Sequence, residues 1–510
     1  MTDKCPLTWD DGACRGSHQP GREGTCSVKS VPGGKRVAKR RPGRGGRVRI
    51  GAPDAALTGS AGLAALGEVD RVLGLVQALD AGIGAIKVRD RGLSGGQLLM
   101  AMASCQLAGG DHLASLDRRR ADTAGQRLEA VPTPPSRTAG GLARRFGPEA
   151  LAGIESAIGV VNAEVVARVG QVRRSALLRQ VTMDIDATDV EVYGPGKDGC
   201  AYNYQGQRAY RVDIALWAEL GVPIAADLLA GNEDPRSSVV ELIRRAHAGL
   251  PAGVEQVALR LDTGYFAADA AIAAHALAIR FAIGVKRNAA VWRAAATIPD
   301  SDYTPVIGMA DTEVALVPYA PKGWPPGVGC LARRTRIPLD QVSTDPRARK
   351  RRTIPKDQLA LALGGDLDHV YGYSFILTNI AVTDPDGTVD AELIAEVEHW
   401  YRHRTDIEAL NTDGKHGAGL RHLPSGERVV NQVWMWAALL ACAISAWLQE
   451  ITGIDRGNGR GRRTIARLRR ELINIPGRII THARGIELRL PPGPNLLTVV
   501  LPALQDLPSG

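Results

Sequence analysis

Apolar residues along this chain follow two different periods. Leu63, Leu66, Val69, Leu73, Val76 and Leu79 recur at three- and four-residue steps, which predicts amphipathic helix. A second helical run covers Leu98 to Leu107 and is followed by Leu113 and Leu116. Pro132 to Ser136 then forms a breaker and cap cluster ahead of a short basic helix, Arg137 to Phe146. From about residue 179 the period drops to two. Val181, Met183 and Ile185 point to one side of a strand ending at Asp186, and Thr182, Asp184 and Asp186 to the other. Two more strands are predicted at about 208–217 and 221–229. A helix then runs from Asp234-Pro235 to about His247, and a strand, Val257 to Leu261, ends on Asp262. A helix at about 267–277 and a strand at about 280–285 complete this stretch.

The order β-β-β-α-β-α-β describes a meander followed by crossover helices, as in the mixed sheet of an RNase H-like core. From about 288 to 385 short β-like runs such as Glu313 to Val317 alternate with Pro/Gly turns, and Tyr371 to Leu377 closes the stretch. Helical pattern returns at about 388–411 and 427–450, and two short strands flank Gly485. The fold class expected is therefore α/β: an RNase H-like mixed sheet core with a β-rich insertion, plus an all-helical N-terminal region. Six segments follow. They are a disordered basic arm (1–56), a helical DNA-binding region (57–150), the first part of the core (151–287), the insertion (288–385), the closing helices (386–450) and a basic tail (451–510).

Composition narrows the partners. The chain has 510 residues, 45% of them hydrophobic, so it is globular; its formal charge of +9 favours a polyanion, nucleic acid before membrane. Abundant Ala, Gly and Arg weaken the charge signal, since Arg-rich chains often bind no DNA. Lys35, Arg36, Lys39, Arg40, Arg41, Arg44, Arg47 and Arg49 form either a solvated tail or an arm that grips phosphates. Arg137, Arg144 and Arg145 sit on a helix that either reads DNA or lies on the surface of a helical bundle. None of the seven cysteines is at C-x-x-C spacing, which argues against a disulfide framework or zinc site and for a reducing cytoplasm. The N-terminus has no continuous apolar segment of the signal-peptide type. The run Val433 to Leu448 is shorter than a spanning helix needs and reads as a buried core helix.

The chemistry rests on three acidic residues. Asp186 and Asp262 close two core strands, so both project at a sheet edge. Glu408 lies in Tyr401-x2-Arg404-x3-Glu408-x6-Lys415. At about 100° per residue these four share a stripe roughly 60° wide, if one helix reaches Lys415; Gly414 weakens its last turn. A carboxylate between an Arg and a Lys suits a metal ligand beside phosphate-binding cations. The same spacing also suits an ordinary salt-bridged surface helix. Asp184 shares a strand face with Asp186 and is the rival for the first carboxylate. Three carboxylates and a phosphate satisfy Mg²⁺, and two such ions about 3.5–4 Å apart activate a nucleophile and stabilise a leaving oxygen.

Asp186-Ala-Thr188, Arg260-x-Asp262-x-Gly264-Tyr265 and the Tyr401–Lys415 block together resemble bacterial cut-and-paste insertion-sequence transposases of the DDE class that carry the Y-R-E-K signature. The stretch from Met183 to Gly194, with Tyr202 to Gly206, resembles the insertion-sequence group numbered thirteen-eighty. The likeness covers about residues 57–500. It implies that Asp186, Asp262 and Glu408 are the catalytic, metal-binding triad for two Mg²⁺ ions, with Mn²⁺ as a substitute. It implies that Tyr401, Arg404 and Lys415 contact DNA, and that Trp292 or Trp324 in the insertion could stack a flipped base. It further implies double-stranded DNA partners (terminal inverted repeats and target DNA) and a homodimer in the synaptic complex. Two other readings stay open: a catalytically inactive DNA-binding derivative, and an RNase H-fold nuclease that never joins DNA.

Overall fold

The computed structural model describes residues 49–89, 91–194, 196–454, 461–483 and 485–510. The expected basic arm lies outside the described residues from 1 to 48. A two-residue strand, β1 (Leu57–Thr58), leads into the helices the apolar spacing demands: α1 (Leu63–Leu73), α2 (Leu75–Ile83), α3 (Gly95–Leu107), α4 (Ser115–Ala121), α5 (Ser136–Ala143), α6 (Pro148–Arg168) and α7 (Gln171–Arg179). α3 starts on a capping box: Ser94 accepts the Gln97 backbone N–H and the Gln97 side chain accepts that of Ser94. α2 and α6 cross at two glycines. A Cβ on Gly82 would lie 2.2 Å from the Gly153 carbonyl oxygen, and one on Gly153 2.0 Å from that of Gly82, so only glycine permits this approach.

The sheet follows: β2 (Val181–Glu191), β3 (Ala201–Tyr202), β4 (Arg208–Trp217), β5 (Val222–Ala230), α8 (Val239–Ala248), β6 (Val257–Leu261), α9 (Ala268–Ala276) and β7 (Arg280–Gly284). Then come α10 (Ala289–Ala295), β8 (Thr304–Pro305), β9 (Thr312–Val317), β10 (Gly329–Pro338), α11 (Lys356–Gly364) and β11 (His369–Thr378). All ten strands from β2 to β11 share one mixed sheet in the order β3-β4-β2-β6-β7-β11-β10-β9-β8, with β5 paired to β4. β2, β6 and β7 run parallel, joined through α8 and α9; the other pairings are antiparallel. Residues 288–385 thus supply strands that continue the sheet outward from β7.

The chain closes with α12 (Ala391–Arg402), α13 (Thr405–Thr412), α14 (Arg428–Thr452), α15 (Ile465–Leu468), β12 (Gly477–His482), β13 (Gly485–Arg489) and α16 (Leu497–Gln505). β12 pairs with β13 and with β1, which joins the two ends of the compact unit Asp54–Gly510. α14 is long and apolar enough to cross a membrane, but 89% of its apolar window is buried against α3, α6 and β5. It is a core helix. Cys105, Cys200, Cys330 and Cys442 are free thiols.

Candidate active site

The register of β2 on β6 sets the site. Ile185 pairs with Leu261 in the parallel ladder, so the next positions along the two strands are Asp186 and Asp262. Adjacent strands lie roughly 5 Å apart, and registered residues point to the same face. β6 stops there. Asp262 caps a short turn, Thr263–Tyr265, and accepts the Gly264 N–H at 2.7 Å. β2 does not stop, contrary to the expectation that Asp186 ends its strand. It continues to Glu191 because β4 pairs with it as far as Ala209. Asp186 instead sits where β2 loses its β6 neighbour.

The two acids of Asp184-Ile-Asp186 meet different surroundings. Asp184 is fully buried in a bidentate ion pair, its oxygens 2.6 and 2.7 Å from Arg260 Nε and Nη2. Asp186 is half-buried and is pushed up to about 6 by burial, opposed by Arg404 and reinforced by Asp262 and Glu408. Asn411 Nδ2 donates to Asp186 Oδ2 at 3.1 Å, while Asn411 Oδ1 is buried without a hydrogen-bond partner.

The expected single helix from Tyr401 to Lys415 is broken twice. α12 ends at Arg402, α13 starts at Thr405, and a π-helical turn covers Asp413–Gly417. The common 60° stripe therefore does not exist. The first break has a tertiary cause: Arg260 Nη1 donates to the Trp400 carbonyl at 2.6 Å, which is the acceptor that Arg404 N–H needs in an unbroken helix. Arg404 turns inward instead. Its guanidinium lies 5.9 Å from the Tyr401 ring centroid. Burial works against its charge, yet Tyr401, Asp262, Asp184 and Asp186 hold its affinity for the proton above the ordinary value. Arg404 Nε has no hydrogen-bond partner in the protein. Tyr401 donates to the Leu261 carbonyl at 3.2 Å. Lys415 Nζ donates to the Asp189 carbonyl at 2.8 Å, and burial lowers its affinity for the proton.

The structure thus gathers Asp186, Asp262, Tyr401 and Arg404. Glu408, exposed on α13, and Lys415 both act on Asp186 electrostatically. The acidic set is open. Among the described residues, the group whose metal-ligating atoms all lie within 4.8 Å of one another is Asp111, His112 and His422, not the three acids. An all-oxygen set with the unpartnered Asn411 carbonyl beside it fits hard divalent ions shared between two positions better than one closed cage. Arg137, Arg144 and Arg145 stand elsewhere, exposed at α5, which packs on α3, α4 and α14; Arg144 pairs with Glu427 at 2.6 Å. α5 ends at Ala143, short of the predicted Phe146. Trp292 packs edge-on against Tyr373 and Phe375, and Trp324 lies 5.2 Å from Phe266.

Three neighbours escaped the sequence reading. Tyr265 donates to Asp213 Oδ1 at 2.5 Å, and burial pushes Asp213 up to about 7. An acid inside the apolar run of β4 was the available signal. A Cβ on Gly284 would lie 2.7 Å from both Tyr401 Oη and Thr263 Oγ1, so this glycine seats the tyrosine. Asn411 lies one helical turn past Glu408 and carried no pattern of its own.

A half-buried guanidinium beside a cluster of carboxylates on a mixed α/β sheet is the arrangement the described residues present. The family model for transposase DDE domain group 1 matches residues 41–509, and the chain belongs to that family, whose members cleave and transfer DNA and use divalent metal ions. Among solved structures, a piggyBac transposase in a synaptic complex with hairpin DNA, determined by cryo-EM, is similar at 8% identity over 80% of this chain and 79% of that one, with a TM-score of 0.37. No curated protein matches.

Proposed function

We propose that the chain is a cut-and-paste DNA transposase of the Y-R-E-K type, related to insertion-sequence group thirteen-eighty and built on an RNase H-like core. Asp186, Asp262 and Glu408 would hold two Mg²⁺ ions, with Mn²⁺ as a substitute. The observation that carries this reading is the pair Asp186 and Asp262, one position beyond the Ile185–Leu261 pairing, beside the half-buried Arg404. When bound, the ions activate the attacking oxygen and stabilise the leaving one. Arg404 would set its guanidinium charge toward a phosphate next to the acids, and Tyr401 keeps Arg404 in place. Lys415 adds a second cation. Asn411 orients the Asp186 carboxylate. The DNA partners are the terminal inverted repeats and the target duplex, met as a homodimer, with Arg137 and Arg145 free to face the duplex. Asp262→Asn tests the reading: Mg²⁺-dependent cleavage of end DNA is lost while end binding persists. Cleavage at the wild-type rate by this variant overturns it.

A further inference from the structure

A second group of metal-ligand type lies outside the acidic set. The turn after α3 supplies Asp111 and His112, and the turn after the π-helical segment supplies His422. His112 Nδ1 is 2.9 Å from Asp111 Oδ1, and His422 Nδ1 is 3.4 Å from Asp111 Oδ2. The two imidazole centroids are 4.6 Å apart. One ligand atom from each residue lies within 4.8 Å of the others. The backbone holds these turns together tightly: a Cβ on Gly419 would lie 3.0 Å from the Asp111 Cα, and Gly419 sits at φ +71°. His422 Nδ1 is buried and, apart from the 3.4 Å approach of Asp111 Oδ2, has no hydrogen-bond partner. A polar atom left in that state needs a ligand or costs stability.

We infer that Asp111, His112 and His422 form a zinc-class transition-metal site that clamps the turn after α3 to the turn after the Glu408 helix. Two nitrogens and one carboxylate oxygen are donors for Zn²⁺ or Co²⁺ rather than Mg²⁺, and three protein ligands leave a fourth position for water. The group borders a cavity of about 150 Å³ that gives that water room. Lys415, Arg421 and Arg469 also line the cavity. Two of these cations are engaged elsewhere. Arg469 donates to the carbonyls of Leu107, Gln106 and Gly417, and Lys415 to that of Asp189. Asp111, which lies closest to both imidazoles, offsets the remaining positive charge. The ligands come from segments far apart in sequence, so binding adds a cross-link that the unfolded chain lacks. It also fixes the segment that follows the π-helical turn carrying Lys415, which is how it would bear on the acidic site.

The full chain is stripped with EDTA, dialysed, and titrated with Zn²⁺ and separately with Co²⁺. It carries Asp262→Asn so that the acidic set is disabled. Metal content is read by mass spectrometry and the Co²⁺ form by its visible absorption. The expected result is one bound ion, a strong visible band of a four-coordinate nitrogen/oxygen site, and a rise in melting temperature. All three are lost on adding either His112→Ala or His422→Ala. His112 is exposed, so its removal takes away little beyond the ring contact with His422 and the surface contact with Asp111, and the metal-free melting temperature should stay close to that of the parent. No bound ion in the parent overturns the inference. So does retention of ion and band in the His112→Ala protein, which would place the binding on other residues, the cysteines before residue 48 included.

Discussion

Asp184 and Asp186 are separated by one residue and face the same way, yet the structure predicts opposite consequences for losing them. Asp184 is 0% exposed and Arg260 3% exposed. Removing one member of such a pair leaves the other buried and unpaired, at a cost of about 3–5 kcal/mol. Unfolding entropy is about 2.1 cal/mol/K per residue, or roughly 1 kcal/mol/K for a unit of about 460 residues. Arg260→Met should therefore lower the melting temperature by about 3–5 °C, and Asp184→Asn by a comparable amount. The double variant Asp184→Leu with Arg260→Met removes both charges and should return to within about 2 °C of wild type, the remainder being the lost bond of about 1 kcal/mol to the Trp400 carbonyl. The assay is differential scanning calorimetry on metal-free protein, followed by Mn²⁺ titration. Mn²⁺ affinity should survive in Asp184→Asn, which leaves Arg260 on the Trp400 carbonyl. The reasoning fails if Arg260→Met melts with wild type, or if Asp184→Asn keeps its melting temperature but loses Mn²⁺.

Other outcomes follow from single contacts. Gly153→Ala puts a methyl against the Gly82 carbonyl and should cost about 1–3 kcal/mol; calorimetry showing no change would mean that α2 and α6 can part freely. Gly284→Ala should displace Tyr401 and slow end cleavage roughly 10–100-fold with end binding unchanged, as read by a gel-based cleavage assay beside a binding isotherm. Burial raises the folded-state pKa of Asp213 from 3.8 to about 7, so its stabilising contribution is complete below about pH 4 and is lost as pH rises through 7. Asp213→Asn should accordingly melt higher than wild type at pH 8, with the gap closing toward pH 4; a gap independent of pH would refute the assignment.

Much of the sheet was legible because its strands obey simple patterns. Val181, Met183 and Ile185 alternate, and Val257 to Leu261 is a short apolar run, as expected of strands buried in a parallel ladder. What the patterns missed was tertiary. Residues 187–191 are half-polar and stay extended only because β4 pairs with them. The helix after Tyr401 has no proline or glycine at its break; it ends because a guanidinium from β6 takes the Trp400 carbonyl. Helical periodicity therefore grouped Tyr401, Arg404, Glu408 and Lys415 for a geometric reason that does not hold. Asp213 shows the complementary case, an acid whose meaning emerges only with Tyr265 across from it.

The different surroundings of the two acids of β2 can nevertheless be read from the sequence, in a form that needs both motifs at once. Asp184-Ile-Asp186 and Arg260-Leu-Asp262 have the same spacing, and the parallel ladder lays one on the other: Asp184 pairs with Arg260, and the next same-face positions are Asp186 and Asp262. The first pair joins opposite charges, so it neutralises itself and can be buried. The second joins like charges, which repel at this separation and raise the proton affinity of Asp186. Such a pair is tolerated only where something positive completes it. Arg404 stands beside that pair, and Lys415 adds a second positive charge acting on Asp186. A divalent cation held there, as proposed above, would add to that balance, and its affinity should fall as protons compete for Asp186 below about pH 6.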